Sequence, residues 1–408
     1  MDIEKKTTMK KILVLTPVYP AQDIPKTDTP VVHYFTREWV KMGYDVRVVH
    51  YVANFPKLLY LFAKPFKDLI GARAGFGIRT TPYEDCEYEI DGVYVKRIGI
   101  RKTRPHVLHP RKDIAKAIEK TIQYCKDQEF IPDCIIGHWP NPQLEIMKVL
   151  KEEFHCKLCY VSHGDSISRL YKERTMDLLN EIDLLGFRCD TVKKEFFEEF
   201  DIKKPSFMCY SGIPASFLEN VSEKDFSDIR NFIYVGTLIK RKFPSVIVDA
   251  LSKAYNNESF TIKYVGTGAE TQHIEKVAIT NDVKQYVHLL GRIDRKEVLK
   301  NVDRSQVFVM ISRGEAFGLV YLEAMARGCI TIASRGEGFD GIIKDGINGF
   351  LCEAGNADEL AAIISKIRKM SNDSLQVISK KAKSTAESLT DVKAAQYYID
   401  AVEGMFKD

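Results

Sequence analysis

Short apolar runs alternate with longer amphipathic stretches along most of this chain. Residues 11–16, Lys-Ile-Leu-Val-Leu-Thr, form an unbroken apolar run, as a strand buried on both faces of a parallel sheet requires. A Pro-rich loop covers 17–30. A helical pattern covers 31–42 and stops at Gly43, and 45–50 is the next strand. This is a βαβ unit, and it sets the class as α/β. Further strands are expected at 133–138, 157–162 and 183–186, with helices at 112–128 and 191–200. Residues 205–214 read as a crossing. A second α/β series follows, with strands at 231–235, 261–265, 287–290, 306–311 and 331–334. Its helices are expected at 319–326, 358–371 and 391–406. The pattern predicts two Rossmann-like domains, 1–208 and 209–389. Ligands bind beyond the carboxyl ends of strands in such sheets, so the site is expected in a cleft between the lobes.

The stretch 306–328 carries the most chemistry. A strand leads through Gly314, Glu315, Phe317 and Gly318 into a helix that begins at Leu319 and is stopped by Gly328. A strand, a glycine-bearing loop and a helix N-terminus make an anion site, because the first-turn N–H groups lack intrahelical partners. Glu315 in the loop and Glu323 on the helix flank it, eight positions apart. Carboxylates are poor phosphate ligands but good acceptors for hydroxyls, so the ligand should carry both phosphate and polyol. Taken alone, the stretch is equally a capped helix with two surface acids. Gly236, Thr237 and the cations Lys240, Arg241 and Lys242, at the end of the second domain's first strand, supply the charge a diphosphate needs. His163 and Gly164 follow a first-domain strand, where a ligand can approach. Gly266-Thr-Gly268 is too short for a dinucleotide fingerprint.

The totals narrow the class. The chain has 408 residues, 45% apolar and 28% charged, with net charge +4, so it is not dense enough in clustered cations for a nucleic-acid binder. No apolar run approaches the ~18 residues of a membrane span. The first residues lack a signal-type apolar core and the nine cysteines are odd in number and scattered, which predicts a cytoplasmic protein. Cys156 and Cys159 fall within and beside a strand and read as core packing. Residues 54–79 mix Leu, Phe and Tyr with Lys57, Lys64, Lys67, Arg73 and Arg79, a composition that suits either a membrane interface or a helix packed on its own domain. A second basic run, 101–112, includes His106 and His109 and adds to that face.

The residues of 231–356 resemble the retaining GT-B glycosyltransferases of family 4. Glu315-Ala-Phe-Gly-Leu-Val-Tyr-Leu-Glu323-Ala-Met-Ala matches the family's EX7E motif, and 342–350 matches its tail; His163-Gly164 and Gly212-Ile213 match more weakly. The resemblance implies a C-terminal helix, within 390–408, that crosses back to the first domain. It implies that Glu323 takes the ribose hydroxyls of a nucleotide sugar, taken here as a UDP-sugar. Glu315 would face the sugar near its 3- and 4-hydroxyls, and His163 the sugar near its 6-hydroxyl and reacting centre. Lys242, with the backbone at Gly318 and Leu319, would hold the diphosphate. Arg292 and Ile293, just after Gly291, would lie near the base. Neither a metal nor another cofactor is expected. The acceptor is expected to be a saccharide or lipid-linked saccharide in cell-surface polysaccharide synthesis, met at the inner face of the membrane through 54–79. Thr237 stands where the family often has Arg, Thr29-Pro30 near a frequent Gly-Gly, and Ser211-Gly-Ile-Pro214 where Asn-Gly-Ile-Asp is usual. These departures are the support for an alternative, an inactive nucleotide-sugar-binding partner subunit. A nucleotide-sugar epimerase of the same bilobal form is disfavoured by the EX7E pattern.

Overall fold

The computed structural model describes residues 11–24, 30–63, 81–104, 107–164, 167–256 and 258–407. The first-domain strands are β1 (Lys11–Thr16), β2 (Asp45–Asn54), β3 (Cys86–Ile90), β4 (Val93–Arg101), β5 (Cys134–His138), β6 (Lys157–Ser162), β7 (Leu184–Phe187) and β8 (Ser206–Met208). Among the described residues they form one sheet in the order β3-β4-β2-β1-β5-β6-β7-β8, parallel except for β3 against β4. The second sheet contains β9 (Asn231–Val235), β10 (Thr261–Val265), β11 (Val287–Gly291), β12 (Val307–Val309), β13 (Ile330–Ser334) and β14 (Phe350–Cys352). Its order is β11-β10-β9-β12-β13-β14. The α/β, two-domain architecture is the one the pattern predicts.

In each sheet the strand order reverses once near the middle. From β1 the chain moves outward to β2 and later returns to place β5 on the other side; β9, β10 and β12 repeat this. Loops leaving two neighbouring strands in opposite directions open a crevice at their carboxyl ends. The second domain's crevice therefore lies between the loop after β9 and the loop after β12, which are the loop of Lys242 and the loop of Glu315.

The helix Asp391–Glu403 belongs to the first domain by packing. Ala394, Ala395, Tyr398, Ile399 and Val402 are buried with Phe35 and Trp39. Trp39 Nε1 donates to the Ala395 carbonyl at 2.9 Å, and Tyr44 Oη to Glu403 at 2.6 Å. The two crossings between domains run side by side: Ile213 N–H donates to the Leu389 carbonyl at 3.1 Å and Asp391 N–H to the Ile213 carbonyl at 2.8 Å. A Cβ at Gly212 would fall 2.4 Å from the backbone of Thr390 and Asp391, which is why a glycine stands there.

The expected strands leave out β3 and β4, although a period of two is present there. Their sequences, Cys-Glu-Tyr-Glu-Ile and Val-Tyr-Val-Lys-Arg-Ile-Gly-Ile-Arg, alternate apolar and polar residues as an antiparallel edge pair does. The strands β8 and β14 have three residues each and carry no period. Both Cys156 and Cys159 are free and buried. Of the basic aromatic segment, the helix Lys57–Ala63 is described, with Leu58 64% and Leu61 67% exposed. The part with Lys64, Lys67, Arg73 and Arg79 lies outside the described residues, as does His106.

Candidate functional site

A cleft of about 1460 Å³ separates the domains. The second domain lines it with Gly236, Thr237, Lys242, Arg292, Arg295, Met310, Glu315, Gly318, Leu319, Val320 and Glu323. Eight of these eleven were expected from the sequence or from the resemblance, all but Arg295, Met310 and Val320; most lie on the two loops that leave their strands at the crevice.

The helix Leu319–Ala326 starts from Gly318, whose φ of +81° is left-handed. A Cβ there would meet the Tyr321 ring at 2.5 Å, so the tight entry into the helix needs glycine. Tyr321 itself is buried and donates to the Met310 carbonyl at 2.8 Å, tying the helix to the end of β12. The helix N-terminus consequently faces the cleft with its positive end.

Lys242 closes a short 3-10 turn, Lys240–Lys242, after β9. Its Nζ lies 3.2 Å from Glu315 Oε2, and both side chains are mostly buried. Arg241 approaches the same oxygen only to 3.8 Å and donates to the carbonyls of Arg313 and Gly314 at 3.1 and 3.2 Å. It clamps the Glu315 loop and is not on the cleft wall. Lys240 is exposed on the outer side of the turn. The three cations therefore separate: Lys242 faces the cleft, Arg241 braces it and Lys240 faces solvent. The Glu315 loop is held from behind by 335–341, where Glu337 accepts from Glu315 N–H at 3.0 Å and Gly338 N–H donates to the Glu315 carbonyl at 2.8 Å. Glu337 is a second-domain residue the sequence pattern did not single out.

Gly266-Thr-Gly268 has a structural role in the same site. Its strand end packs against the Lys242 loop through Gly236 N–H to the Val265 carbonyl at 2.9 Å and Leu238 N–H to the Thr267 carbonyl at 3.0 Å. Side chains at 266 or 268 would collide with the carbonyls of Gly236 and Leu238.

Glu323 projects into the cleft one helical turn below Leu319. Arg295 Nη2 donates to its Oε1 at 3.0 Å. Burial pushes the Glu323 carboxyl above its ordinary range and Arg295 pulls it back. The approach to the base region was expected at Arg292 and Ile293. Arg292 lines the cleft, but Ile293 turns inward to the hydrophobic core and Gly291 lies off the wall. Arg295, two residues further on, stands in the cleft instead. It is the second residue of an Asp294-Arg295 helix start, and Asp294 caps that helix through Lys296 and Glu297 N–H. Phe317 is likewise a core residue, 3% exposed and packed on Tyr210 and Phe339. Its apolar side chain anchors the loop rather than lining the cleft.

In the first domain the wall consists of Pro17, Tyr19, His33, Tyr34, His50, Tyr83 and neighbouring apolar residues. His33 is held by Tyr19 Oη at 3.0 Å and Asp91 at 2.9 Å. Burial holds His50 down at about 4, so it is neutral at physiological pH. His163 does follow β6, but it is not among the wall residues. Its Nε2 is 3.0 Å from His138 Nδ1 and its ring stacks on Trp139 at 3.7 Å. Burial, with the nearby Arg188 and His138, holds His163 well below the usual imidazole range. Asp165, beside it in sequence, lies outside the described residues, as does Thr29; Pro30 lines the cleft.

Residues 219–385 match the family model described as glycosyl transferases group 1. An uncharacterized glycosyltransferase of Methanocaldococcus jannaschii is 28% identical over 231 residues, 56% of this chain and 63% of the relative. The chain thus spans about three-fifths of that relative's own length. An alpha-monoglucosyldiacylglycerol synthase of Acholeplasma laidlawii is 29% identical over 192 residues, 45% of this chain and 46% of that one. The solved structure of Anabaena HepE in complex with UDP superposes with a TM-score of 0.69 at 15% identity, covering 97% of this chain and 100% of HepE. The fold is GT-B, and its second domain carries the group 1 glycosyltransferase match.

Proposed function

We propose that this protein is a retaining glycosyltransferase of family 4. It moves a sugar from a nucleotide sugar, a UDP-sugar by our reading, to a saccharide or lipid-linked saccharide in cell-surface polysaccharide synthesis. The observation that carries the reading is the convergence of Lys242, the helix start at Gly318–Leu319, Glu315 and Glu323 on one wall of the interdomain cleft. Cleavage of a sugar–phosphate bond leaves positive charge at the anomeric carbon and negative charge on the departing diphosphate. Lys242 and the helix N-terminus stabilise the latter, so the reading needs no metal. Glu323 accepts from the ribose hydroxyls and Glu315 from hydroxyls of the transferred sugar. The acceptor attacks from the leaving-group face, with the phosphate as base, so no protein nucleophile is assigned. Closure of the lobes excludes water, the competing acceptor. The same reading gives His163 a contact near the sugar's 6-hydroxyl, although it does not line the cleft in this structure.

The relative from Acholeplasma laidlawii is named for a diacylglycerol product, which supports an acceptor with a lipid part. No described helix is long and apolar enough to cross a membrane. The exposed Leu58, Leu59 and Leu61 beside Lys57 suit contact with the inner face of an anionic membrane. Replacing Leu58 and Leu61 by aspartate is expected to reduce co-sedimentation with vesicles containing anionic lipid; unchanged binding removes this helix from the membrane reading.

The donor assignment is tested by titrating the protein with UDP-, GDP- and ADP-sugars and following release of the nucleotide. Glu323→Ala should weaken donor binding by ~1–3 kcal/mol, the value of a lost charged hydrogen bond. Unchanged affinity would refute the ribose role. Binding without turnover on any acceptor, in protein with intact Lys242, favours the partner-subunit alternative.

A further inference from the structure

The Arg295–Glu323 pair has a second carboxylate behind it. Asp391, 5% exposed, begins the helix that returns to the first domain. Its Oδ2 accepts from Arg37 at 3.1 Å, while its Oδ1 is buried without a hydrogen-bond partner. Asp391 sits directly behind the cleft wall, because its N–H donates to the carbonyl of Ile213 and Ile213 lines the cleft with Arg295 and Glu323. The Arg295 side chain is 56% exposed, and its guanidinium lies over the Phe217 ring at 4.9 Å. Burial raises both carboxyls; Arg295 lowers Glu323, Arg37 and to a lesser degree Arg295 lower Asp391, and Asp391 adds to the rise at Glu323. Arg295 thus acts on both acids, with Arg37 as the direct partner of Asp391.

We propose that Arg295 is a positioning residue shared between these acids, holding Glu323 in the empty cleft and passing to Asp391 Oδ1 when ribose hydroxyls take Glu323. The proposal rests on the donor reading above. A ligand shifts an equilibrium only through a difference in its interactions with the two states. Hydroxyls replacing Arg295 on Glu323 would leave its half-exposed guanidinium to water or to another acceptor at the wall. The unsatisfied Oδ1 is such an acceptor, since a buried acceptor left unpaired is costly and gains most from a charged donor. Asp391 keeps Arg37 of the first domain on its other oxygen, Oδ2.

The test is a double-mutant cycle on the affinity for UDP, GDP and ADP, measured by calorimetry with the full chain. Asp391→Asn should weaken binding of the preferred nucleotide by about fivefold or more, a typical coupling between linked sites. In the Arg295→Ala background the same change should have no effect on affinity, because the cation it receives is gone. An equal effect in both backgrounds, or none in either, overturns the proposal. If the unaltered protein binds none of the three nucleotides, the donor reading fails and this inference with it. If it binds and the cycle closes to zero, only the sharing of Arg295 fails. Should Asp391→Asn not fold, a crystal structure of the unaltered protein with nucleotide decides. Arg295 within hydrogen-bond distance of Asp391 supports the transfer, and Arg295 still on Glu323 overturns it.

Discussion

Lys242→Ala is expected to lower the turnover of sugar transfer by about 10²-fold or more, as removal of one preorganised group facing a leaving charge does. The expectation follows from the separation of the three neighbouring cations. Lys242 alone lines the cleft, with Nζ 3.2 Å from Glu315. Arg241 is committed to two backbone carbonyls of the Glu315 loop, and Lys240 is exposed. Neither can take over the diphosphate without abandoning its position. Lys240→Ala should therefore turn over at close to the normal rate and serves as the control. Steady-state kinetics with a labelled donor separates the outcomes, since loss confined to transition-state stabilisation appears in kcat. A near-normal kcat for Lys242→Ala would move the leaving-group role to another cation of the cleft, Arg292 or Arg295. The variant also leaves Glu315 without its nearest cation, so its melting temperature must be measured beside its rate.

Gly266→Ala is expected to destabilise the fold by about 3 kcal/mol, combining the strain of a left-handed backbone with overpacking. Gly266 has φ +136°, and a Cβ there would stand 2.0 Å from the Gly236 carbonyl oxygen. Backbone atoms cannot rotate away as a side chain can. The only relief is movement of the Gly236–Leu238 segment, which carries the Lys242 turn. Donor affinity should fall together with stability. Gly346→Ala is the comparison: its φ is +70° and nothing lies within 4 Å of the added carbon, so its cost is about 1 kcal/mol. Urea unfolding of the two variants measures the difference. Equal losses would show that the contact between the loops after β9 and β10 yields easily.

Much of the second-domain wall was legible because its parts are local in sequence. Gly318 and the apolar run around it specify a strand, a tight turn and a helix without reference to distant residues. Gly236 and Lys242 do so for the loop after β9. Glu315 and Glu323 carry a spacing that survives any later packing. The first-domain wall was much less legible. Tyr19, His33, His50 and Tyr83 come from four separate segments, and no periodicity joins them. Where individual side chains point was also outside the reach of pattern. Ile293 and Phe317 belong to the right loops but are apolar, and the adjacent core takes them. Arg295 shares a loop with Arg292 and Ile293, but only the start of the helix after Asp294 aims its side chain at Glu323.

The sequence by itself determined the α/β class, the succession of two strand series and the charged groups of the second domain. Each follows from short-range periodicity, glycine placement and charge. The stretch 205–214, read as a crossing, begins with the first-domain strand β8. Tertiary structure alone decided which of Lys240, Arg241 and Lys242 faces the cleft, and that His163 stacks on Trp139. It also decided that Asp391, 68 residues beyond Glu323 in the numbering, lies behind the same wall. Those outcomes depend on the strand-order reversals and on the helix Asp391–Glu403 returning to the first domain. They are consequences of which surfaces bury together, and contacts made at such separations leave no period along the chain.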